Sequence, residues 1–189
     1  SITPGYRGFE PAVGGISTYP PGAKENGGIF LHTNPWVMIA ETILGRGDKA
    51  FEYYCQINPA SKNGILDIFE SEPYCYPQNI LGDEHKQFGM GRNAWLSGTS
   101  SWTYQAATQF IIGIRASFSG LVVDPCIPSA WAGFEATRKF RGATYQITVK
   151  NPNHVCKGVA KMVVDGQEID SNVAPVFTKG VHKVEVTLG

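Results

Sequence analysis

The 189-residue chain balances 16 Lys and Arg against 16 Asp and Glu, so its formal net charge is zero, and neither a basic nucleic-acid face nor a polybasic membrane anchor follows from composition. Apolar residues make up 42% and charged residues 17%, which excludes the low-hydrophobicity, high-charge profile of a disordered chain. Its apolar stretches are interrupted by Asn, Gly, Glu or Arg long before the roughly 18 residues that a membrane-spanning helix needs.

From Thr3 to Phe30 the chain is irregular and rich in glycine. The first helix is expected after Asn34-Pro35, where a cap is followed by proline at an early helical position. Trp36, Ile39, Ala40 and Ile43 then recur at helical spacing until Gly45 stops it. A second helix is expected over 49–57, with Asp48 as its cap, Phe51, Tyr54 and Cys55 on one side, and Asn58-Pro59 as terminator. Ala60 to Leu96 has little period of either kind, and a connection of that length is uncommon in a compact domain unless it works over a site. A third helix is expected over about 101–112, capped by Thr99 or Ser100, marked by Trp102, Ala106, Gln109 and Phe110, and ended by Gly113.

After Gly113 the pattern changes to period two. Strands are expected over 121–123, 135–140, 144–149, 160–164 and 183–188, and Asp165-Gly166 reads as a tight hairpin turn into Gln167-Glu168-Ile169. The short gaps leave no room for a crossover helix, so an antiparallel β-sandwich is expected. The domain junction is placed near 114–120, dividing the chain into 1–116 and 117–189. Three helices and so much loop cannot close a core alone, so the first portion reads as the tail of a larger helical domain.

Four residue groups could carry chemistry. Around Tyr19, Lys24, Glu25 and His32, glycines allow close backbone approach, Lys24 and His32 could bind an anion, and Glu25 could orient one of them or a sugar hydroxyl. A surface turn is the plain alternative, because the spacing of a phosphate-binding GxxxxGK[ST] loop is absent. The run from Arg92 to Ser100 places Ser97 and Gly98 where free N–H groups at a helix start would favour phosphate, although capping alone also explains Ser-Gly-Thr-Ser. Interleaved aromatics, among them Tyr19, Trp36, Tyr74, Trp95 and Trp102, suit the apolar faces of sugars. Trp36 and Trp102, on helical faces, read as core; Tyr19 and Trp95 are open between core and site. Of the loop carboxylates, Glu72 beside Pro73-Tyr74 is best placed to meet a substrate, with a solvated side chain as the alternative.

His85, His154 and His182 have no ligand partners at metal spacing, and no metal site is assigned. Cys55, Cys75, Cys126 and Cys156 form no CxxC unit, which points to reduced thiols and a cytoplasmic location. Ser1 to Glu10 lacks the order of a secretion signal, and the missing Met is read as processing or as a preceding segment.

The stretches Tyr-Pro-Pro-Gly-Ala-Lys-Glu-Asn-Gly-Gly-Ile-Phe-Leu-His-Thr-Asn-Pro-Trp at 19–36, Leu-Gly-Arg-Gly-Asp at 44–48 and Trp-Leu-Ser-Gly-Thr-Ser-Ser-Trp at 95–102 resemble the C-terminal part of the inverting disaccharide phosphorylases, cellobiose phosphorylases most of all. Gly-Ile-Arg at 113–115, Asp-Pro-Cys-Ile-Pro at 124–128 and Arg-Lys-Phe-Arg-Gly-Ala-Thr-Tyr at 138–145 extend the resemblance over nearly the whole chain. It implies the last helices of an (α/α)6 barrel followed by a jelly-roll β-sandwich. It implies phosphorolysis of cellobiose to α-glucose 1-phosphate and glucose, with inorganic phosphate as co-substrate and no cofactor. His32 and Ser97-Gly98 match the phosphate positions, Ser97 standing where the family has Thr, while Tyr19 and Lys24 match positions on the acceptor side. The family's general acid, an aspartate in an Asp-Trp-Asn segment, and its phosphate-binding arginine have no match. The chain is therefore expected to be inactive alone and to work with polypeptide outside it, as a homodimer of the full protein. Phosphorylases of chitobiose, laminaribiose or cellodextrins are the nearest alternative, a non-catalytic carbohydrate-binding or structural fragment a further one, and a simple hydrolase a weaker one.

Overall fold

The computed structural model describes residues 2–189; Ser1, and with it the reading of the chain start, lies outside the described residues. Two compact units interleave along the chain, Ser1–Val37 with Tyr53–Tyr104 and Met38–Glu52 with Gln105–Gly189. Several helices are followed by mostly antiparallel sheets.

In the first unit a 3₁₀ turn at Gly14–Thr18 leads to β1 (Ile29–Phe30), a second 3₁₀ turn at Leu31–Thr33 and the start of α1 (Asn34–Ile43). Gly45, at φ 76°, supplies the left-handed residue that ends α1. Helix α2 (Gly47–Ile57) gives way at Asn58, whose side chain accepts the Ala60 N–H at 3.1 Å and opens a 3₁₀ segment at Pro59–Ile65. The long aperiodic connection holds the short α3 (Leu66–Phe69), β2 (Asn79–Ile80) and β3 (Gly91–Arg92). These strands build a three-stranded antiparallel sheet in the order β1-β2-β3, with Phe30 opposite Asn79 and Asn79 opposite Arg92. Two-residue strands carry no readable alternation, so this sheet was not expected from sequence. Helix α4 (Thr99–Gln105) passes into a π-helical turn at Ala106–Ile111, so the third expected helix begins two residues earlier and changes geometry midway.

In the second unit Asp48, expected as the cap of α2, sits in its first turn and reaches across sequence: its carboxylate accepts the Ser129 N–H at 2.8 Å and the Ser129 hydroxyl at 3.0 Å. The backbone hydrogen bond from Ser129 holds the Asp48 carboxyl below its ordinary pKa. Strands β4 (Ile114–Ala116), β5 (Leu121–Val123) and β10 (Val173–Ala174) make one sheet. The other, ordered β6-β7-β11-β8-β9, uses β6 (Gly133–Phe140), β7 (Ala143–Lys150), β8 (Val159–Val164), β9 (Gln167–Ile169) and β11 (Val181–Leu188). Ala143, Tyr145, Ile147 and Val149 alternate inward along β7, as period two demands, and one hydrophobic cluster joins them to Leu121, Val123 and Ala174 of the smaller sheet.

One expectation is corrected. Strand β11 runs parallel to β7, from Val181 opposite Thr144 to Thr187 opposite Lys150, and antiparallel to β8. Short gaps enforce antiparallel pairing only between consecutive strands. Here the β8–β9 hairpin and β10, which joins the other sheet, occupy the excursion, so β11 returns in the direction of β7 without a crossover helix.

Candidate functional site

The β1-β2-β3 sheet draws together three stretches that are far apart in sequence. Strand β1 runs directly into His32, β2 follows Tyr76-Pro77-Gln78, and β3 precedes the Asn93 to Gly98 turn. The Leu31 N–H donates to the Gln78 carbonyl at 2.9 Å, which locks the His32 turn to the second stretch. Ser97 Oγ lies 3.3 Å from the Pro77 carbonyl, which locks the third.

His32 and Gly98 meet face to face. A Cβ added at Gly98 would stand 2.7 Å from His32 Cε1 and 3.0 Å from Nε2, so the imidazole lies where any side chain at 98 would be. The ring is half-buried, stacks on Phe30 at 6.3 Å and meets the edge of Trp36 at 5.8 Å. Among the described residues, neither ring nitrogen of His32 nor the Gly98 N–H has a hydrogen-bond partner. These groups are what a small anion would require.

Ser97 is more committed than the sequence reading allowed for. Its Oγ accepts the Thr99 N–H at 3.0 Å, capping α4, and lies 2.6 Å from Thr99 Oγ1. A phosphate contact through this hydroxyl must share the proton now directed at Thr99 or Pro77. Trp36, read as core, is 48% exposed and stands beside His32, with Trp102 against its other edge at 5.7 Å.

Tyr19 and Lys24 also come together, the ammonium standing 4.8 Å from the ring centroid. They share a cleft of about 220 Å³ with Pro20, Asn79, His85 and Arg92. Lys24 holds a left-handed conformation, φ 49°, and its N–H donates to Asn79 Oδ1 at 3.3 Å. Glu25 is half-buried, and no donor among the described residues reaches its Oε2. Glu72 accepts a hydrogen bond from the Trp95 indole at 3.0 Å, and that bond holds its carboxyl below the ordinary range.

Three residues escaped the sequence reading. Asn26, fully buried, accepts the Tyr6 N–H at 2.6 Å and donates to the Tyr6 and Tyr19 carbonyls at 2.9 and 2.7 Å, fixing the Tyr19 backbone. Asn79, 1% exposed, bridges Lys24 to Asn93. The buried Gln78 Oε1 has no partner among the described residues, beside the His32 turn. Nothing in their spacing marks these amides; only burial makes them conspicuous. Among the described residues no group of three or more His, Cys, Asp or Glu could hold a metal ion, and no helix is long and apolar enough to cross a membrane.

With this geometry in hand, the glycosyl hydrolase 94 superfamily catalytic-domain model matches residues 2–113. The chain belongs to that superfamily. An N,N'-diacetylchitobiose phosphorylase of Vibrio furnissii is 48% identical over 178 residues, covering 94% of this chain and 22% of that protein. A second N,N'-diacetylchitobiose phosphorylase, from Vibrio proteolyticus, is 47% identical over 177 residues with the same coverages. A solabiose phosphorylase of Paenibacillus borealis is 32% identical over 189 residues, all of this chain and 25% of that protein. The chain thus spans about a quarter or less of the length of these relatives. In this glycosyl hydrolase 94 chain the match to the catalytic domain includes every candidate residue named above, from Tyr19 to Gly98.

Proposed function

We propose that these residues form the phosphate and acceptor sides of the active site of an inverting disaccharide phosphorylase, whose general acid lies in polypeptide outside the 189 residues. The observation that carries the reading is the packing of the His32 ring on Gly98, with no hydrogen-bond partner among the described residues for either ring nitrogen or for the Gly98 N–H. Phosphate sits against His32, Ser97 and Gly98 and attacks the anomeric carbon. The acid protonates the glycosidic oxygen on the opposite face as the C–O bond breaks, and the product is the inverted sugar 1-phosphate. Phosphate is its own nucleophile, so no base is needed to activate water. Tyr19, Lys24 and Glu25 meet the acceptor sugar, an aromatic face beside polar groups, and no cofactor takes part. In this reading residues 1–116 end an (α/α)6 barrel and 117–189 form a jelly-roll domain, in line with a catalytic-domain match that stops at 113. Its setting is the cytoplasm, consistent with four free thiols.

For the disaccharide, the 48% identity to an N,N'-diacetylchitobiose phosphorylase favours that substrate over cellobiose. The complete gene product containing these residues should consume N,N'-diacetylchitobiose only when phosphate is present and release N-acetylglucosamine 1-phosphate. Consumption of cellobiose, laminaribiose or a cellodextrin in its place would correct the sugar. Sugar release in phosphate-free buffer, or binding without turnover, would overturn the phosphorylase reading altogether.

A further inference from the structure

Trp95 is held in a conformation that a bulky residue avoids. Its φ of 69° lies in the left-handed region, two residues after Asn93 at φ 54°. For a residue other than glycine, that strain persists only where the surroundings over-determine it. Three contacts do so here. The Trp95 N–H donates to the buried Cys75 Sγ at 3.2 Å, its indole N–H donates to Glu72 Oε1 at 3.0 Å, and its ring meets Tyr74 at 6.1 Å. All three partners lie on 72–75, the stretch that leads to Pro77 and Gln78. Trp95 is 67% exposed, so it is not held by burial. Two residues further on, Ser97 begins the turn that presents Gly98 to His32.

We infer that Glu72 is a positioning residue: its carboxylate clamps the Trp95 indole in the strained turn and thereby sets Ser97 and Gly98 against His32 for phosphate. It acts through Trp95 and does not itself touch sugar. The inference rests on the phosphate reading above and adds to it the device that shapes the cradle. The carboxylate suits this work, because a charge-assisted hydrogen bond to an indole N–H is stronger than a neutral one and fixes the ring in one direction. An amide oxygen accepts the same bond in the same place, whereas a methyl group cannot.

The test is steady-state kinetics of the complete gene product, with phosphate and disaccharide varied separately. Glu72→Ala should lower kcat/KM for phosphate by about tenfold, the scale expected when a charged hydrogen bond is lost and a reacting group is misplaced. The KM for disaccharide should stay within about twofold, and Glu72→Gln should recover most of the loss. Trp95→Phe, which keeps an aromatic ring and removes the N–H, should reproduce the phosphate defect, and the double variant should be no worse than either single one. Should Glu72→Ala fail to fold, Trp95→Phe and Glu72→Gln still decide the matter, because Glu72→Gln is isosteric and Trp95→Phe only trims a side chain that is largely exposed. A rise in disaccharide KM with phosphate parameters unchanged would make Glu72 a sugar ligand and overturn the inference, as would additive losses in the double variant. If the wild-type protein shows no phosphate-dependent turnover, the phosphorylase reading fails first. An active wild type with phosphate parameters indifferent to both single variants sinks this inference alone.

Discussion

Gly98 shows how a single missing side chain shapes the candidate site. Its φ is not among the positive ones, so alanine is tolerated by the backbone, and the obstacle is the His32 ring 2.7 Å from the new Cβ. Gly98→Ala in the complete gene product should therefore push the imidazole aside. We expect kcat/KM for phosphate to fall by about 10- to 100-fold, with unfolding stability within about 1 kcal/mol of wild type. Phosphate kinetics that do not change would remove His32 and Gly98 from the phosphate site. The neighbouring amides work by the opposite principle. Asn26 and Asn79 bring polar groups into buried positions, where each satisfies backbone or side-chain partners from separate stretches.

At the scale of elements, the strand ends of the second unit are pinned by polar contacts set into an apolar frame. Tyr145 of β7 is fully buried, yet its hydroxyl donates to the Pro175 carbonyl at 2.8 Å and accepts the Phe177 N–H at 3.0 Å. Tyr145→Phe leaves both backbone groups without their partner and should cost about 1–3 kcal/mol of unfolding stability, measurable by denaturant titration of this chain. The β8–β9 turn is tied to β11 in a similar way. His182 Nδ1 lies 2.6 Å from Asp165 Oδ2, and the Lys183 N–H donates to Asp165 Oδ1 at 2.8 Å. The hydrogen bond to Asp165 raises the His182 pKa, while that from His182 lowers the Asp165 pKa. A raised histidine stabilises fully below its unfolded value of about 6.5 and loses that contribution as pH rises through the folded value. A depressed aspartate stabilises above its unfolded value of about 3.9 and loses its contribution as pH falls through the folded one. The pair is thus complete between about pH 4 and 6.5. Asp165→Asn, which keeps a residue suited to φ 49° at the turn, should destabilise the chain more near pH 6 than near pH 9. An equal effect at both pH values would show that the pair does not couple to folding.

For the molecule as a whole, the decisive quantity is the share of an active site that 189 residues can supply. Trp36, Val37, Tyr74, Trp95 and Leu96 are each about half or more exposed, and His32 and Gly98 meet among the same stretches of chain. No Asp-Trp-Asn segment stands in the chain to provide the proposed acid. The isolated 189-residue chain, given disaccharide and phosphate, should accordingly release no sugar 1-phosphate above background, while the complete gene product does. Turnover by the isolated chain would place the acid among these 189 residues.

The three main helices, the long strands of the second unit, the Asp165-Gly166 turn and the superfamily were legible in the order of residues alone. Caps, terminators and periodicity act over a few residues, and motif identity needs no geometry. Its order of residues also singled out Tyr19, Lys24, Glu25, His32, Glu72, Ser97 and Gly98 as candidates. Which of them meet was set by the folded chain. It packs His32 on Gly98, stands Lys24 over Tyr19, and turns Glu72 to the Trp95 indole. It also moved Trp36 from the expected core to the side of His32 and ran β11 parallel to β7. The physical reason is common to all of these. The site is assembled by β1, β2 and β3, each two residues long, whose pairing energy comes from partners about 50 and 12 positions away in the chain, and so short a strand leaves no period in the sequence to announce it.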